Sequence, residues 1–143
     1  MAAATTRAVG YTRTAAPKVD REHWTAAQAL RIRRYCSGHG MTLVGSFADY
    51  GVSGDAMNRT GLRDALSILR EGHADVLIVA NVSRLARSVA ALARLADSHF
   101  GDGSRGLIAL DEDLDTRTAN GRFILSLLDV IARSDVEVMR HGQ

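Results

Sequence analysis

The stretch DVLIVANV, residues 75–82, decides the fold, because it is a short and nearly continuous apolar run in an otherwise mixed sequence. A run of this kind is typical of a strand that is buried on both faces of a parallel sheet. The sequence on either side therefore has to supply the helices that cover those two faces.

Further strands and helices alternate outward from this run. Strands are predicted at about residues 8–12, at 41–49 (MTLVGSFAD) and at 105–112 (RGLIALDE), and helices at 21–40, 59–72, 83–100 and 121–139. Ser83 is expected to be the N-cap of the third helix, and Trp24, Ala27, Leu30, Ile32 and Tyr35 to share roughly one face of the first. The alternation predicts a single α/β domain over residues 1–143, with a mostly parallel sheet flanked by helices and a long C-terminal helix.

Composition narrows the class of protein. At 143 residues, 46% hydrophobic and 24% charged, the chain has the profile of one soluble globular domain. Its longest apolar runs are too short to cross a bilayer, so no membrane partner is expected. A single cysteine, Cys36, excludes an internal disulfide framework. That favours a reducing compartment, and the expected location is the cytoplasm.

Four arginines are expected to converge on one edge of the sheet. Ligands of open α/β sheets bind outside the carboxyl ends of the strands. Arg13 ends the first strand, Arg59 opens the second helix, and Arg84 and Arg87 follow the third strand. Arg84 and Arg87 are three residues apart and are expected on one helical face near a positive helix N-terminus. One arginine alone would be read as a solvated surface residue, whereas four together predict a phosphate site.

Other ligand classes are less well supported. The sequence has no G-x-G-x-x-G motif after a strand and no G-x-x-x-x-G-K-[ST] motif, and its five histidines lack metal-ligand spacing. No nucleotide, cofactor or metal is therefore expected. An acidic cluster follows the fourth strand, and a solvated loop that caps the next helix is a better interpretation of it than a metal site; its members are Asp111, Glu112, Asp113 and Asp115.

Three motifs in order resemble one known family. They are S-G-x(4)-R-x-G-L at residues 53–62, S-R-L-x-R-S at 83–88 and D-T-x-T-x-x-G-R at 115–122, after GYTRTA at 10–15. Together they are similar to the catalytic domain of the serine site-specific recombinases, the resolvase/invertase family. The similarity covers about residues 7–140. It implies the resolvase catalytic-domain fold.

The resemblance also implies a reaction. In such enzymes a serine hydroxyl attacks a DNA phosphodiester and forms a phosphoserine link, without metal or nucleotide. Arginines neutralise the charge of the phosphorus transition state. By correspondence the catalytic arginines are Arg13, Arg59, Arg84 and Arg87. Tyr11, Asp49 and Ser53 fall at supporting positions of the active site.

Ala15 departs from the family pattern at the decisive position. The family writes Tyr-x-Arg-x-Ser at the first strand, and this chain has alanine where the nucleophilic serine stands. The usual aspartate before the arginine pair is Ser83, and the Glu-Arg pair of the last helix is Asp135 and Val136. The sequence ends at Gln143, so no C-terminal DNA-binding domain is expected. These departures predict a recombinase-like protein, a pseudoenzyme related to mobile elements, that keeps phosphate-facing arginines but has lost strand cleavage.

Several functions remain open at this level. The chain is expected to bind the DNA phosphate backbone weakly and non-specifically. It is also expected to form a homodimer, or a hetero-oligomer with a recombinase, through the C-terminal helix. Ile124, Leu127, Leu128, Ile131 and Val138 lie near one stripe of that helix. One alternative is an active recombinase whose nucleophile is displaced to a residue such as Thr14 or is supplied by another chain. A second is a regulatory partner of an active recombinase. A third is a remnant of a mobile element with no selected role.

Overall fold

The protein is an α/β domain built on one five-stranded sheet, in agreement with the predicted class. The computed structural model describes residues 5–14, 21–50, 60–86, 88–101 and 104–141, without the side chains of 21–24 and 132–141. The strands are β1 (Arg7–Thr14), β2 (Thr42–Tyr50), β3 (Val76–Val79), β4 (Gly106–Ala109) and β5 (Leu114–Asp115). The helices of this described part are α1 (Arg21–Gly38), α2 (Thr60–Arg70), α3 (Val89–His99) and α4 (Ala119–His141).

The sheet order is β2-β1-β3-β4-β5, with β5 as the one antiparallel strand. Strand β3 is buried along its whole length, as the apolar run predicts. Its side chains alternate between two cores: Leu77 and Val79 face one, and Val76 and Ile78 face the other. The carboxyl ends of the parallel strands therefore meet at one edge, where polar residues of successive loops are brought together.

Helix α1 packs on the sheet with a face that only partly matches the predicted one. Ile32 and Cys36 are buried as apolar residues, but the other buried positions of this face are the polar Thr25 and Gln28. Of the residues predicted to share one face, Ile32 is buried and Tyr35 packs beside it, whereas Leu30 is 38% exposed and Ala27 is also exposed. The Trp24 side chain lies outside those described. The prediction is therefore wrong for Ala27 and Leu30, because polar Thr25 and Gln28 take the buried positions in this part of the helix.

Helix α4 presents two different apolar surfaces. Ile124 and Leu128 pack against the core formed with α2 and α3. Phe123, Leu127 and Ile131 are 61%, 46% and 46% exposed, and so do not cover the sheet. The predicted stripe is therefore divided along the helix, and Val138 lies outside the described side chains. Within the part of the chain that the structure describes, none of the helices has the length and apolar character needed to span a membrane.

Candidate active site

A buried tyrosine–aspartate pair lies near the carboxyl ends of β1 and β2. Tyr11 is fully buried, and its hydroxyl donates a hydrogen bond to Asp49 Oδ2 at 2.7 Å. Asp49 is 8% exposed and pairs with Arg13 in the parallel register of the two strands. Residues 11 and 13 of β1 lie on the same face of the sheet because side chains of a strand alternate.

The same carboxylate also holds the start of helix α2. Asp49 Oδ1 accepts from the Gly61 amide at 2.8 Å and Oδ2 from the Leu62 amide at 3.1 Å. These amides belong to the first turn of the helix, which has no intrahelical acceptors for them. A Cβ at Gly61 would lie 2.6 Å from the Ala48 carbonyl oxygen, so only glycine lets the helix approach the strand this closely. The second glycine of the first motif is thus explained by packing.

Arg13 and Arg84 are joined by reciprocal hydrogen bonds. Arg13 Nε donates to the Arg84 carbonyl at 3.0 Å, and Arg13 Nη2 donates to the Ser83 carbonyl at 2.5 Å. Arg84 Nη1 donates in return to the Arg13 carbonyl at 3.1 Å. Arg13 is only 6% exposed. The arrangement concentrates positive charge at the edge where β1 and β3 end.

Gln28 is a part of this site that the sequence did not reveal. Its Oε1 accepts from the Arg13 amide at 3.1 Å, and its Nε2 donates to the Arg13 carbonyl at 3.0 Å. The side chain therefore pairs with β1 as a neighbouring strand would, and fixes the backbone that carries Arg13. Its position four residues before the buried Ile32 is the one sequence signal that points to the sheet-facing side of α1.

The segment after β3 corrects the predicted third helix. Val82–Arg84 form a short 3₁₀ turn, here named the 82–84 turn, and α3 begins only at Val89. The N-cap is Ser88, whose hydroxyl oxygen accepts from the Ala91 amide at 3.1 Å, and not Ser83. Arg84 precedes the helix, so the expected shared helical face with Arg87 is wrong. The physical reason is that Arg13, on strand β1, donates to the carbonyls of Ser83 and Arg84, so these carbonyls are bound from outside the segment.

The acidic cluster after β4 binds back to this turn. Asp111 accepts from Arg31 Nη2 at 2.7 Å and from Asn81 Nδ2 at 3.1 Å. These hydrogen bonds lower the pKa of Asp111 below its ordinary value. Glu112 Oε1 accepts from the Val82 amide at 3.1 Å. Glu112 thus holds the 82–84 turn directly and Asp111 holds Asn81 just before it, whereas the sequence predicts a loop that caps the following helix.

The N-terminus of helix α4 is capped by residues of the third motif and not by the acidic side chains of Asp111 and Glu112. The Thr118 hydroxyl accepts from the Gly121 amide at 2.9 Å and donates to the Asp115 carbonyl at 2.8 Å. A Cβ at Gly121 would lie 1.9 Å from the same carbonyl oxygen. Asp115 also pairs with Arg117 at 2.8 Å. Among the described side chains, no group of three or more His, Cys, Asp and Glu is arranged to hold a metal ion.

Thr14 is the last residue of β1 and is 5% exposed. Because the strand extends to this residue, alternation places Thr14 on the face opposite Arg13. The remaining predicted site residues lie outside the described residues: Ala15, Ser53, Arg59 and Arg87. The structure therefore brings together Tyr11, Arg13, Asp49 and Arg84.

Comparison of the sequence and of the structure with known proteins points to the same family. The family model "Resolvase, N terminal domain" matches residues 8–143. The structure is similar to the N-terminal catalytic domain of TP901-1 integrase, at 24% identity and a TM-score of 0.85, covering 94% of this chain and 99% of that one. It is also similar to a resolvase family site-specific recombinase from Streptococcus pneumoniae, at 20% identity and a TM-score of 0.79, covering 96% and 93%. A comparison with curated protein sequences found no match.

Proposed function

Because this chain belongs to the resolvase N-terminal domain family of serine recombinases, we propose that its arginine site binds DNA backbone phosphate without cleaving the strand. Arg13 and Arg84 supply the described part of this site. Arg59, Arg87 and Ser53 are assigned to the same site by the family motifs, and Tyr11 and Asp49 support it. The function is therefore that of a recombination protein whose cleavage step is missing.

The observation that carries this proposal is the contact between Arg13 and Arg84. Arg13 lies on strand β1 and Arg84 in the 82–84 turn, and Arg84 Nη1 donates to the Arg13 carbonyl at 3.1 Å. Two arginines linked in this way at one edge of the sheet favour a bound anion, and guanidinium groups match phosphate oxygens in geometry. DNA phosphate is the anion that the family's reaction requires.

The absence of cleavage follows from chemistry at Ala15. A methyl group has no atom that can attack phosphorus, whereas the family mechanism begins with a hydroxyl at this position. The burial of Thr14 and its place on the opposite face of β1 argue against a displaced nucleophile. The active-recombinase alternative is therefore less well supported.

The exposed side of helix α4 favours a second role as a non-catalytic partner. Phe123 and Val130 are 61% and 60% exposed. Leu127 lies one turn after Phe123, and Ile131 lies one turn after Leu127 and next to Val130. Residues spaced by about four and seven share one side of a helix, so these four form a continuous apolar stripe. We propose that this stripe binds a second copy of the chain or a related recombinase.

The phosphate site is tested by binding to a labelled duplex oligonucleotide at two salt concentrations. Non-specific binding of this kind has a Kd of roughly 10⁻⁴ to 10⁻⁶ M and weakens as salt rises. Arg84→Ala should weaken binding and flatten its salt dependence. Arg70→Ala is the matched control, because Arg70 is the last residue of α2 and its guanidinium donates to the Ser67 hydroxyl of the same helix. Equal binding by the native chain and the Arg84→Ala variant would refute the site.

A further inference from the structure

The 82–84 turn is held from outside by a continuous set of hydrogen bonds. Glu112 accepts from the Val82 amide at 3.1 Å, and Asp111 joins Asn81 to Arg31 of helix α1 at 3.1 and 2.7 Å. The Ser83 hydroxyl donates to Asn81 Oδ1 at 2.5 Å. Every residue from 81 to 83 is therefore linked, directly or through one side chain, to the β4–β5 connection.

The turn is also the element that carries the arginine contact. Its Ser83 and Arg84 carbonyls accept from Arg13, and Arg84 returns a bond to the Arg13 carbonyl. A 3₁₀ turn of three residues has few hydrogen bonds of its own, such as Leu85 amide to Val82 carbonyl at 3.0 Å. The position of the arginine pair therefore depends on what fixes the turn from the other side.

We propose that Asp111 and Glu112 are positioning residues for Arg13 and Arg84. They hold the 82–84 turn in the orientation that presents the arginine pair at the sheet edge. Glu112 acts through the Val82 amide of the turn, and Asp111 acts through the Asn81 side chain that precedes it. The ligand of the arginine pair rests on the proposed function, whereas the positioning of Arg13 and Arg84 by these carboxylates does not depend on it.

Electrostatics alone predicts the opposite effect on DNA binding. A carboxylate close to a phosphate site repels the phosphate, so its removal should strengthen binding. Positioning predicts that its removal weakens binding, because the arginines lose their fixed geometry. Glu112→Gln and Glu112→Ala remove the same charge, but only the glutamine keeps an oxygen that can accept from the Val82 amide. This matched pair separates the two effects.

The measurement is hydrogen exchange of the Arg13 Nε proton by nitrogen-15 NMR, with the Ile78 amide of the central strand as reference for global stability. Glu112→Ala should lower the protection of the Arg13 proton about 2- to 10-fold relative to Ile78, the range expected for one lost hydrogen bond. Glu112→Gln should keep most of this protection. Asp97→Ala removes an exposed carboxylate from helix α3 and should change nothing.

Binding of the duplex oligonucleotide is measured on the same variants. Weaker binding by Glu112→Ala than by Glu112→Gln supports the proposal. Unchanged protection of the Arg13 proton in Glu112→Ala overturns it, and so does an equal fall at Arg13 and Ile78, which would show only a general loss of stability. A selective fall at Arg13 with no DNA binding by the native chain would establish the positioning and refute the phosphate site.

Discussion

The Tyr11 hydroxyl and the Asp49 carboxylate are joined by a 2.7 Å hydrogen bond that is buried between β1 and β2. The same carboxylate accepts from two amides at the start of α2. One side chain thus connects two strands and a helix next to Arg13. The geometry of the site depends on this connection, since the first motif ends in the first turn of α2, whose Gly61 and Leu62 amides Asp49 binds.

Tyr11→Phe should lower the free energy of unfolding by about 1.5–3 kcal/mol, the usual contribution of a hydrogen bond to a charged group. The loss arises because the buried Asp49 carboxylate loses the Tyr11 hydroxyl and keeps the Gly61 and Leu62 amides as donors. Urea denaturation measures the change. Tyr35→Phe is the control, since the Tyr35 ring stacks on His39 and its hydroxyl has no hydrogen bond among those described. A loss of similar size in both variants would contradict the assignment to the Asp49 contact.

Gly61→Ala should destabilise the protein by about 1–3 kcal/mol, as overpacking of a tight contact does. The added Cβ would lie 2.6 Å from the Ala48 carbonyl oxygen and 3.0 Å from Asp49 Oδ1. Gly38→Ala, at the end of α1, is the matched control because nothing lies within 4 Å of its Cβ position. Thermal unfolding of the two variants should differ clearly, and equal midpoints would show that α2 can move away without cost.

Gln28→Ala should lower the free energy of unfolding by about 1–3 kcal/mol, the cost when a buried backbone group loses a hydrogen-bond partner. The Arg13 amide loses the Gln28 oxygen that accepts from it, whereas the Arg13 carbonyl keeps its hydrogen bond from Arg84 Nη1. DNA binding should weaken together with stability, because Arg13 is fixed by this pairing. Ser37→Ala, at an exposed position of the same helix, should leave both unchanged. Unaltered stability of Gln28→Ala would mean that solvent replaces the side chain.

Asp75 should make stability depend on pH in acid. The Arg7 amide donates to Asp75 Oδ2 at 2.8 Å, and its guanidinium donates to Oδ1 at 3.2 Å, so the pKa of Asp75 lies below its ordinary value of 3.8. Since the folded pKa is the lower one, the contribution is complete above the ordinary value and is lost as the pH falls through the lowered pKa. The group is largely solvated, so the contribution is small, about 0.2–1 kcal/mol.

This contribution is measured by urea denaturation of the native chain and of Asp75→Asn, each at pH 7 and below pH 4. The difference between the two proteins should be present at neutral pH and shrink in acid. A difference that grows as the pH falls would have the wrong sign and would contradict the assignment.

The strands and helices were predictable where their signals are local. The apolar run of β3 and the alternation around it define the fold class, and β1 and β2 follow the expected order. The 82–84 turn was not predictable, because it is fixed by Glu112 and Arg13 from distant parts of the chain. Strand β5 has only two residues, too few for any periodicity.

The candidate site was identified by resemblance more than by pattern. The motifs pointed to Tyr11, Arg13, Asp49 and Arg84, and the structure brings these four together. Gln28 was missed because its role lies in two side-chain hydrogen bonds to a strand fifteen residues away, and its spacing from Ile32 indicates only the sheet-facing side of α1. The roles of Asp111 and Glu112 were missed for the same reason.

The most direct test of the account is a search for a covalent protein–DNA adduct. The native chain and Ala15→Ser are each incubated with DNA, denatured in detergent, and examined for protein attached to DNA ends. We expect an adduct with Ala15→Ser and none with the native chain, because alanine at this position lacks the oxygen that would attack phosphorus. An adduct with the native chain would contradict it by revealing another nucleophile, and no adduct with either protein would contradict the claim that the arginine site is otherwise intact.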